Sequence, residues 1–264
     1  MILAAFIINL FFSTTPKDTT IDKFYKNANT PVTIKFSSNS KYNLLVLPGY
    51  GFSDIEWCVK TQLCEKAQKK GFNLIFVEVR KSVYLKENLP QTSELLRKYP
   101  TRTWIVDSVI KPIFNQGVLD KNKKCFVLGL STGARGAAIL MLENPDIFSG
   151  AACLSGDYDP TLQKNDNLMI NALGTYEKNK KAWTGDNNIV NRVKEFKKPI
   201  FIAHGKKDNI VPIAQSLLLK DKLIKENPKN IIKYDFPENG KHDYKFWNSE
   251  IDNVLEFFIK YGNN

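Results

Sequence analysis

The sequence predicts an α/β protein built on a mostly parallel, doubly wound sheet. From about residue 31 onward, short apolar runs alternate with stretches that have helical spacing. Several runs are apolar at every position, which is typical of strands buried on both faces. The chain has 264 residues, 43% of them hydrophobic and 25% charged, so it can bury one large core without a metal or a disulfide.

The predicted elements follow the order strand, helix, strand. The predicted strands span residues 32–36, 43–48, 73–79, 124–130, 150–154, 199–203 and 231–236. The predicted helices span residues 54–70, 102–116, 133–143, 212–226 and 244–261. The segment 157–194 has no clear period, and we expect it to form a lid at the carboxyl ends of the strands, where such sheets carry their sites. We expect residues 16–264 to form a single domain.

The net charge of +11 raises the question of a nucleic-acid partner. Of the 38 basic residues only five are Arg, and the Lys residues are spread along the whole chain. Nucleic-acid binders usually gather Arg and Lys on one stripe with interleaved aromatic residues. The charge therefore indicates a solvated, Lys-rich surface, and we expect no nucleic-acid partner.

The first residues form an apolar run, 2–12, which only Asn9 interrupts. Its length suits a secretory signal peptide over residues 1–15 and is too short to span a bilayer. No Lys or Arg precedes the run, so a packed N-terminal segment of a cytoplasmic protein is the alternative. We expect a secreted or periplasmic protein with no stable membrane span.

The four cysteines are expected to be free thiols. Cys58 and Cys64 lie six residues apart on the predicted helix 54–70, a rise of roughly 9 Å, which is too far for an unstrained disulfide. Cys125 and Cys153 fall in apolar strands. Metal-ligand spacing is absent from the sequence, and we expect no metal site.

The motif GLSTG at residues 129–133 carries the strongest chemical signal. It lies between a predicted strand and a predicted helix, where a nucleophile on a sharp turn needs glycine on both sides. Ser131 is therefore the predicted nucleophile. The helix N-terminus would direct the Thr132 backbone N–H at an oxyanion.

A serine hydroxyl needs a base, and the chain has only His204 and His242. In a strand-turn-helix hydrolase the order along the chain is Ser, acid, His, which assigns Asp208 as the acid and His242 as the base. His204 is then a packed residue at a strand end. Asp157 and Asp159 are rival acids, or turn formers in the lid.

The motif LPGYG at residues 47–51 follows an early central strand. A loop in this position supplies the second oxyanion donor in such enzymes, so the Tyr50 backbone N–H is the candidate. Trp57, Trp183 and Trp247 either line a substrate pocket or belong to the core.

These motifs resemble the α/β-hydrolase superfamily, and within it the esterases around esterase D (S-formylglutathione hydrolase) and the mycolyltransferase-like secreted esterases. The resemblance runs from about residue 43 to the C-terminus and rests on LPGYG 47–51, GLSTGARGA 129–137, NPDIF 144–148, LSG 154–156, HGKKDNIVP 204–212 and GKHDYKFW 240–247. It implies an α/β-hydrolase fold in which Ser131, Asp208 and His242 transfer an acyl group to water without a cofactor. Thr132 and Ala134 replace the family's usual Met and Gly.

The expected function is therefore cleavage of a small-molecule carboxylic ester through an acyl-enzyme. A small serine peptidase or acyltransferase of the same fold is the nearest alternative. A non-catalytic binding protein that retains the fold is an alternative of a different class.

Overall fold

The computed structural model describes residues 19–25 and 28–262, with side chains from residue 30 to residue 261. The predicted signal peptide, residues 1–15, lies outside the described residues. Among the described helices, none combines the length and the apolar character needed to cross a membrane.

One eight-stranded sheet organises the chain. In chain order its strands are β1 (Thr19–Tyr25), β2 (Ala28–Lys35), β3 (Tyr42–Leu47), β4 (Phe72–Val77), β5 (Cys125–Leu130), β6 (Phe148–Leu154), β7 (Ile200–Ala203) and β8 (Ile232–Asp235). The spatial order is β1-β2-β4-β3-β5-β6-β7-β8. The pairs β1–β2 and β2–β4 are antiparallel, and all other neighbours are parallel.

The central strands are buried on both faces of the sheet. Successive side chains of a strand point to opposite faces, so one strand can contribute to the core on each side. In β3, Leu44 and Val46 join one core cluster, whereas Leu45 and Leu47 join the cluster on the other face. This explains why the sequence shows unbroken apolar runs here instead of alternation.

Helices cover both faces of the sheet. In chain order they are α1 (Glu56–Lys60), α2 (Leu63–Lys69), α3 (Glu94–Arg97), α4 (Arg102–Trp104), α5 (Lys111–Asn115), α6 (Thr132–Glu143), α7 (Asn167–Leu173), α8 (Tyr176–Thr184), α9 (Ala214–Glu226), α10 (Tyr244–Ser249) and α11 (Ile251–Gly262). A π-helical segment, Ile105–Ile110, joins α4 to α5. The predicted α/β architecture with a mostly parallel, doubly wound sheet is confirmed.

The expectation of free thiols at Cys58 and Cys64 was wrong, because these residues form a disulfide with a Cα–Cα distance of 5.2 Å. The predicted helix 54–70 is two helices, α1 and α2, which meet at a corner. Thr61 ends α1 in an extended conformation, and its hydroxyl donates to the Trp57 carbonyl. The rise of a continuous helix therefore does not apply across the corner. Cys125 and Cys153 are buried free thiols, as expected.

The segment expected to be a lid contains α7 and α8 between two 3₁₀ helices, Pro160–Gln163 and Val190–Glu195. It packs against residues 80–101, a loop segment that contains only the short helix α3. Leu85 and Leu96 from that loop share an apolar cluster with Met169 of α7 and Trp183 of α8. We call this cluster the cap cluster, with Val83, Ala172 and Leu173 as its other buried members.

Candidate active site

Ser131 lies on a tight turn between β5 and α6. Its backbone has φ 53° and ψ −126°, a left-handed conformation that costs a residue with a side chain roughly 1–3 kcal/mol. A Cβ at Gly133 would collide with the carbonyl oxygens of Leu47 and Pro48, and a Cβ at Gly129 would collide with the Gly133 backbone. The glycines of the motif are therefore required by close backbone approach, which is the geometry that exposes a nucleophile at the edge of a parallel sheet.

Ser131, His242 and Asp208 form one hydrogen-bonded chain. The His242 Nε2 lies 3.1 Å from the Ser131 Oγ, and the His242 Nδ1 lies 2.6 Å from the Asp208 Oδ2. A carboxylate can only accept, so Nδ1 carries the proton and Nε2 offers its lone pair to the serine hydroxyl. The fold thus brings together three residues that the sequence separates by up to 111 positions.

Two elements orient His242, which lies between β8 and α10. The Trp247 ring stands edge-on to the imidazole, with 5.1 Å between ring centroids. Asp243 caps α10 by accepting from the Phe246 N–H at 2.9 Å. Trp57, Trp183 and Trp247 are all fully buried, and each donates its indole N–H, so the core interpretation of these residues holds.

Asp208 is held in the loop after β7 as an ionised carboxylate. Its Oδ1 accepts from the Ile210 and Val211 N–H groups at 2.9 Å each. Burial by itself raises the pKa of Asp208, but hydrogen bonds from His204 and His242 hold that pKa well below its usual range.

His204 is a contact of the acid that sequence analysis missed. Its Nε2 lies 3.0 Å from the Val211 carbonyl oxygen and 3.2 Å from the Asp208 Oδ2. Two acceptors at Nε2 require a proton there, so Nδ1 accepts from the Ser216 hydroxyl at 2.7 Å. His204 is the packed strand-end residue that the sequence predicted, and it also contacts the same Asp208 oxygen, Oδ2, that accepts from His242.

Replacing His204 by leucine is expected to lower kcat for an ester substrate roughly tenfold, with little change in KM. The reason is that Asp208 loses a charge-assisted hydrogen bond of about 1.5–3 kcal/mol and is held less firmly against His242. Steady-state kinetics measure the effect. His204→Gln, which offers an N–H donor at the same depth, should recover part of the loss, and equal activity of all three proteins would contradict the role.

The rival acids make other contacts. Asp157 forms a buried ion pair with Arg135 of α6, and the Arg135 Nε donates to the Asp157 carbonyl oxygen at 3.2 Å. Burial raises the pKa of Asp157, and the Arg135 charge opposes that shift. Asp159 accepts from the Thr161 N–H at 2.8 Å and from the Asn188 Nδ2 at 2.7 Å. The carboxylate that hydrogen-bonds to His242 is that of Asp208.

The two candidate oxyanion donors flank Ser131. Thr132 is the first residue of α6, so its N–H belongs to the unpaired first turn of the helix. Tyr50 follows Gly49, where a Cβ would lie 3.1 Å from the Ser131 Cβ. The loop that carries Tyr50 therefore runs directly beside the nucleophile, and the Tyr50 ring packs against the cap cluster.

A surface cleft of about 620 Å³ lies at the opposite end of α6, around Glu143. Most of the charged side chains that line this cleft form ion pairs with one another. Glu143 accepts from Arg102 and Arg192 at 2.7 Å each, which lowers the pKa of this carboxyl against the effect of its burial. Arg102 also donates to the Asn187 side chain at 3.1 Å, so this cluster fastens the lid segment to the core.

A family model matches residues 106–264, which is more than half of the chain and contains the Ser131, Asp208 and His242 positions. The chain belongs to the prolyl oligopeptidase family. No curated protein sequence matches the chain.

Solved structures share the fold at low sequence identity. An S-formylglutathione hydrolase from Agrobacterium tumefaciens is 14% identical with a TM-score of 0.75, over 95% of this chain and 97% of that one. The fluorophosphonate-binding serine hydrolase F of Staphylococcus aureus is 15% identical with a TM-score of 0.74, over 92% and 98%. An acylaminoacyl peptidase of Pyrococcus horikoshii is 13% identical with a TM-score of 0.69, over 92% of this chain and 41% of that one. The predicted membership of the α/β-hydrolase superfamily is confirmed.

Proposed function

We propose that this protein is a serine hydrolase that cleaves small carboxylic esters through an acyl-enzyme. The observation that carries the proposal is the hydrogen-bonded chain from Ser131 through His242 to Asp208, with the nucleophile on a glycine-flanked turn. A neutral imidazole with its lone pair on the hydroxyl is the state that general-base catalysis requires.

In the acylation step, the Ser131 Oγ attacks the ester carbonyl carbon while the His242 Nε2 takes the hydroxyl proton. The Tyr50 and Thr132 N–H groups would hold the oxyanion that forms on the carbonyl oxygen. His242 then returns the proton to the leaving alkoxide as the carbon–oxygen bond breaks. Ionised Asp208 stabilises the imidazolium in between.

In the second step, water attacks the acyl-serine with His242 again as the base, and the acid product leaves as Ser131 recovers its proton. Every group used belongs to the chain itself. We infer that no cofactor takes part.

Esters are the preferred substrate class, with peptides as the second candidate. The likeness to the Agrobacterium tumefaciens S-formylglutathione hydrolase spans nearly all of both chains, whereas the likeness to the acylaminoacyl peptidase spans 41% of that enzyme. The family match favours peptides. In favour of esters, the leaving group of an activated ester is expelled more easily than that of an amide.

The Cys58–Cys64 disulfide supports a secreted or periplasmic location, because disulfides persist in oxidising compartments. A cytoplasmic location remains the alternative.

The substrate class is tested by comparing p-nitrophenyl butyrate with the p-nitroanilides of alanine and of glycyl-proline. These reporters release coloured leaving groups from an ester and from amides, so kcat/KM values compare directly. We expect kcat/KM for the ester to be at least about 100-fold above that for either anilide. This ratio corresponds to a difference of roughly 2.7 kcal/mol in activation free energy. Faster cleavage of an anilide than of the ester would identify the protein as a serine peptidase. If no reporter is turned over, the alternative of a non-catalytic binding protein with this fold would be favoured.

A further inference from the structure

Two carboxyl groups lie against the Ser53 hydroxyl, at the end of the loop that carries Tyr50. Asp54 ends this loop, and Glu78 lies directly after β4. The Ser53 hydroxyl lies 3.2 Å from the Asp54 Oδ1 and 3.0 Å from the Glu78 Oε2, while the Asp54 N–H donates to the same Glu78 oxygen at 3.5 Å. The triad uses neither carboxyl.

The charges at this contact indicate that one of these carboxyls is neutral. The Ser53 hydroxyl donates its single hydrogen to one carboxyl at a time, and the Asp54 Oδ1 also accepts from the Ile55 N–H at 2.8 Å. Two adjacent carboxylates without a cation between them repel each other, and within the described residues no Lys or Arg forms an ion pair with Asp54 or Glu78. A proton held between them removes this repulsion.

The groups around Glu78 are consistent with that proton. The loop contributes Ser53 and Asp54. The Pro31 carbonyl of β2 accepts from the Glu78 N–H. The buried Tyr84 phenol is close enough for the charge of Glu78 to raise its pKa. Burial, together with the hydrogen bond and the charge of Asp54, raises the pKa of Glu78 to about 7.

The segment after β4 fastens the Tyr50 loop at several points. The Gly51 N–H donates to the Arg80 carbonyl at 2.9 Å, and the Tyr84 hydroxyl donates to the Pro48 carbonyl at 2.8 Å. The contacts of Glu78 with Ser53 and Asp54 complete this set at the far end of the loop. Tyr50 lies between the fastened ends.

We propose that a proton shared by Asp54 and Glu78 fastens the loop that carries the Tyr50 N–H, which makes Glu78 a positioning residue for the proposed ester hydrolysis. The inference rests on the proposed function. Once both carboxyls are ionised, their mutual repulsion loosens the loop beside Ser131. Activity therefore declines as the pH rises through neutrality.

The same proton affects stability with a definite sign. The pKa of Glu78 is raised on folding from its ordinary value of 4.5 to about 7, so the native state binds the extra proton between these values. Its stabilising contribution is complete below pH 4.5 and is lost as the pH rises through about 7. A glutamine at this position cannot ionise and does not lose that contribution.

The test compares the parent with Glu78→Gln, whose amide reproduces the donor and the acceptor of a neutral carboxyl. Glu87→Gln is the matched control, because Glu87 lies in the same chain segment and is exposed. For each protein, kcat for p-nitrophenyl acetate and the thermal unfolding midpoint are measured from pH 5 to pH 9. Asp54→Asn repeats the test from the other side of the pair.

We expect kcat of the parent and of Glu87→Gln to fall several-fold between pH 7 and pH 9, and kcat of Glu78→Gln to stay level. The unfolding midpoint of Glu78→Gln should rise above that of the parent by a few degrees over the same interval. Two results would overturn the proposal. One is a fall of kcat between pH 7 and pH 9 in Glu78→Gln that matches the fall in the parent. The other is a difference in unfolding midpoint between Glu78→Gln and the parent that does not depend on pH. A parent without turnover at any pH would contradict the proposed function instead, and the midpoints would still decide whether the proton is shared.

Discussion

Replacing Ser131 by alanine is expected to lower kcat for p-nitrophenyl acetate by a factor on the order of 10⁴ or more. The hydroxyl that lies 3.1 Å from the His242 Nε2 is then missing, and covalent catalysis is lost. The oxyanion donors remain, so slow turnover above the rate in water can persist. Alanine retains the left-handed backbone of this turn, and we expect the fold to survive. Initial rates, measured with the uncatalysed rate subtracted, give the factor.

The control is Ser108→Ala, a half-buried serine on the π-helical segment that takes no part in the site. It should keep the kcat of the parent to within about twofold, since surface changes away from special features have small effects. A Ser131→Ala protein that unfolds at the parent's midpoint and still turns over the ester at the parent's rate would exclude Ser131 as the nucleophile.

Replacing Asp208 by asparagine is expected to lower kcat by a factor on the order of 10³ to 10⁴, with a much smaller change in KM. An asparagine amide can donate to the His242 Nδ1, which moves the imidazole proton to Nε2 and removes the lone pair that faces Ser131. The asparagine oxygen can still accept from the Ile210 and Val211 N–H groups, so the loop keeps its turn. Because the pKa of Asp208 is well below its usual range, the parent should not lose rate through protonation of this acid between pH 5 and pH 9.

Asp243→Asn is the matched control for this prediction. It makes the same chemical change beside His242, at a helix N-cap where asparagine serves as well as aspartate. We expect kcat within about twofold of the parent. If Asp208→Asn were as active as this control, the acid would have to be sought elsewhere, and Asp157→Asn would be the next variant to measure.

Local signals were sufficient to predict the central part of this fold and the three residues, Ser131, Asp208 and His242, that the structure joins by hydrogen bonds. Unbroken apolar runs predicted β3, β4 and β5, since a strand buried on both faces has no polar side. The glycines around Ser131 predicted the turn, because only their small size allows the backbone of residues 47–48 to pass so closely. With only two histidines in the chain, the order of Ser, acid and His was enough to select His242.

The remaining features depend on contacts between distant segments. Helical periodicity continues across Thr61, so the corner that brings Cys58 to Cys64 has no local signal strong enough to reveal it. His204 and Asp208 are four residues apart, yet only the loop after β7 turns both side chains toward each other. Asp54 and Glu78 meet because parallel strands β3 and β4 are neighbours and end at the same edge, a register that the sequence does not state.

The most direct test of the account is the site at which a fluorophosphonate probe reacts. The parent protein is treated with the probe, digested, and mapped by mass spectrometry, with a heat-denatured sample and Ser131→Ala treated in parallel. Activation of one serine by His242 predicts a single adduct on Ser131 in the folded parent and no adduct in the other two samples. A folded parent that remains unlabelled, or that carries its adduct on another residue, would contradict the assignment of Ser131, His242 and Asp208 as the catalytic centre.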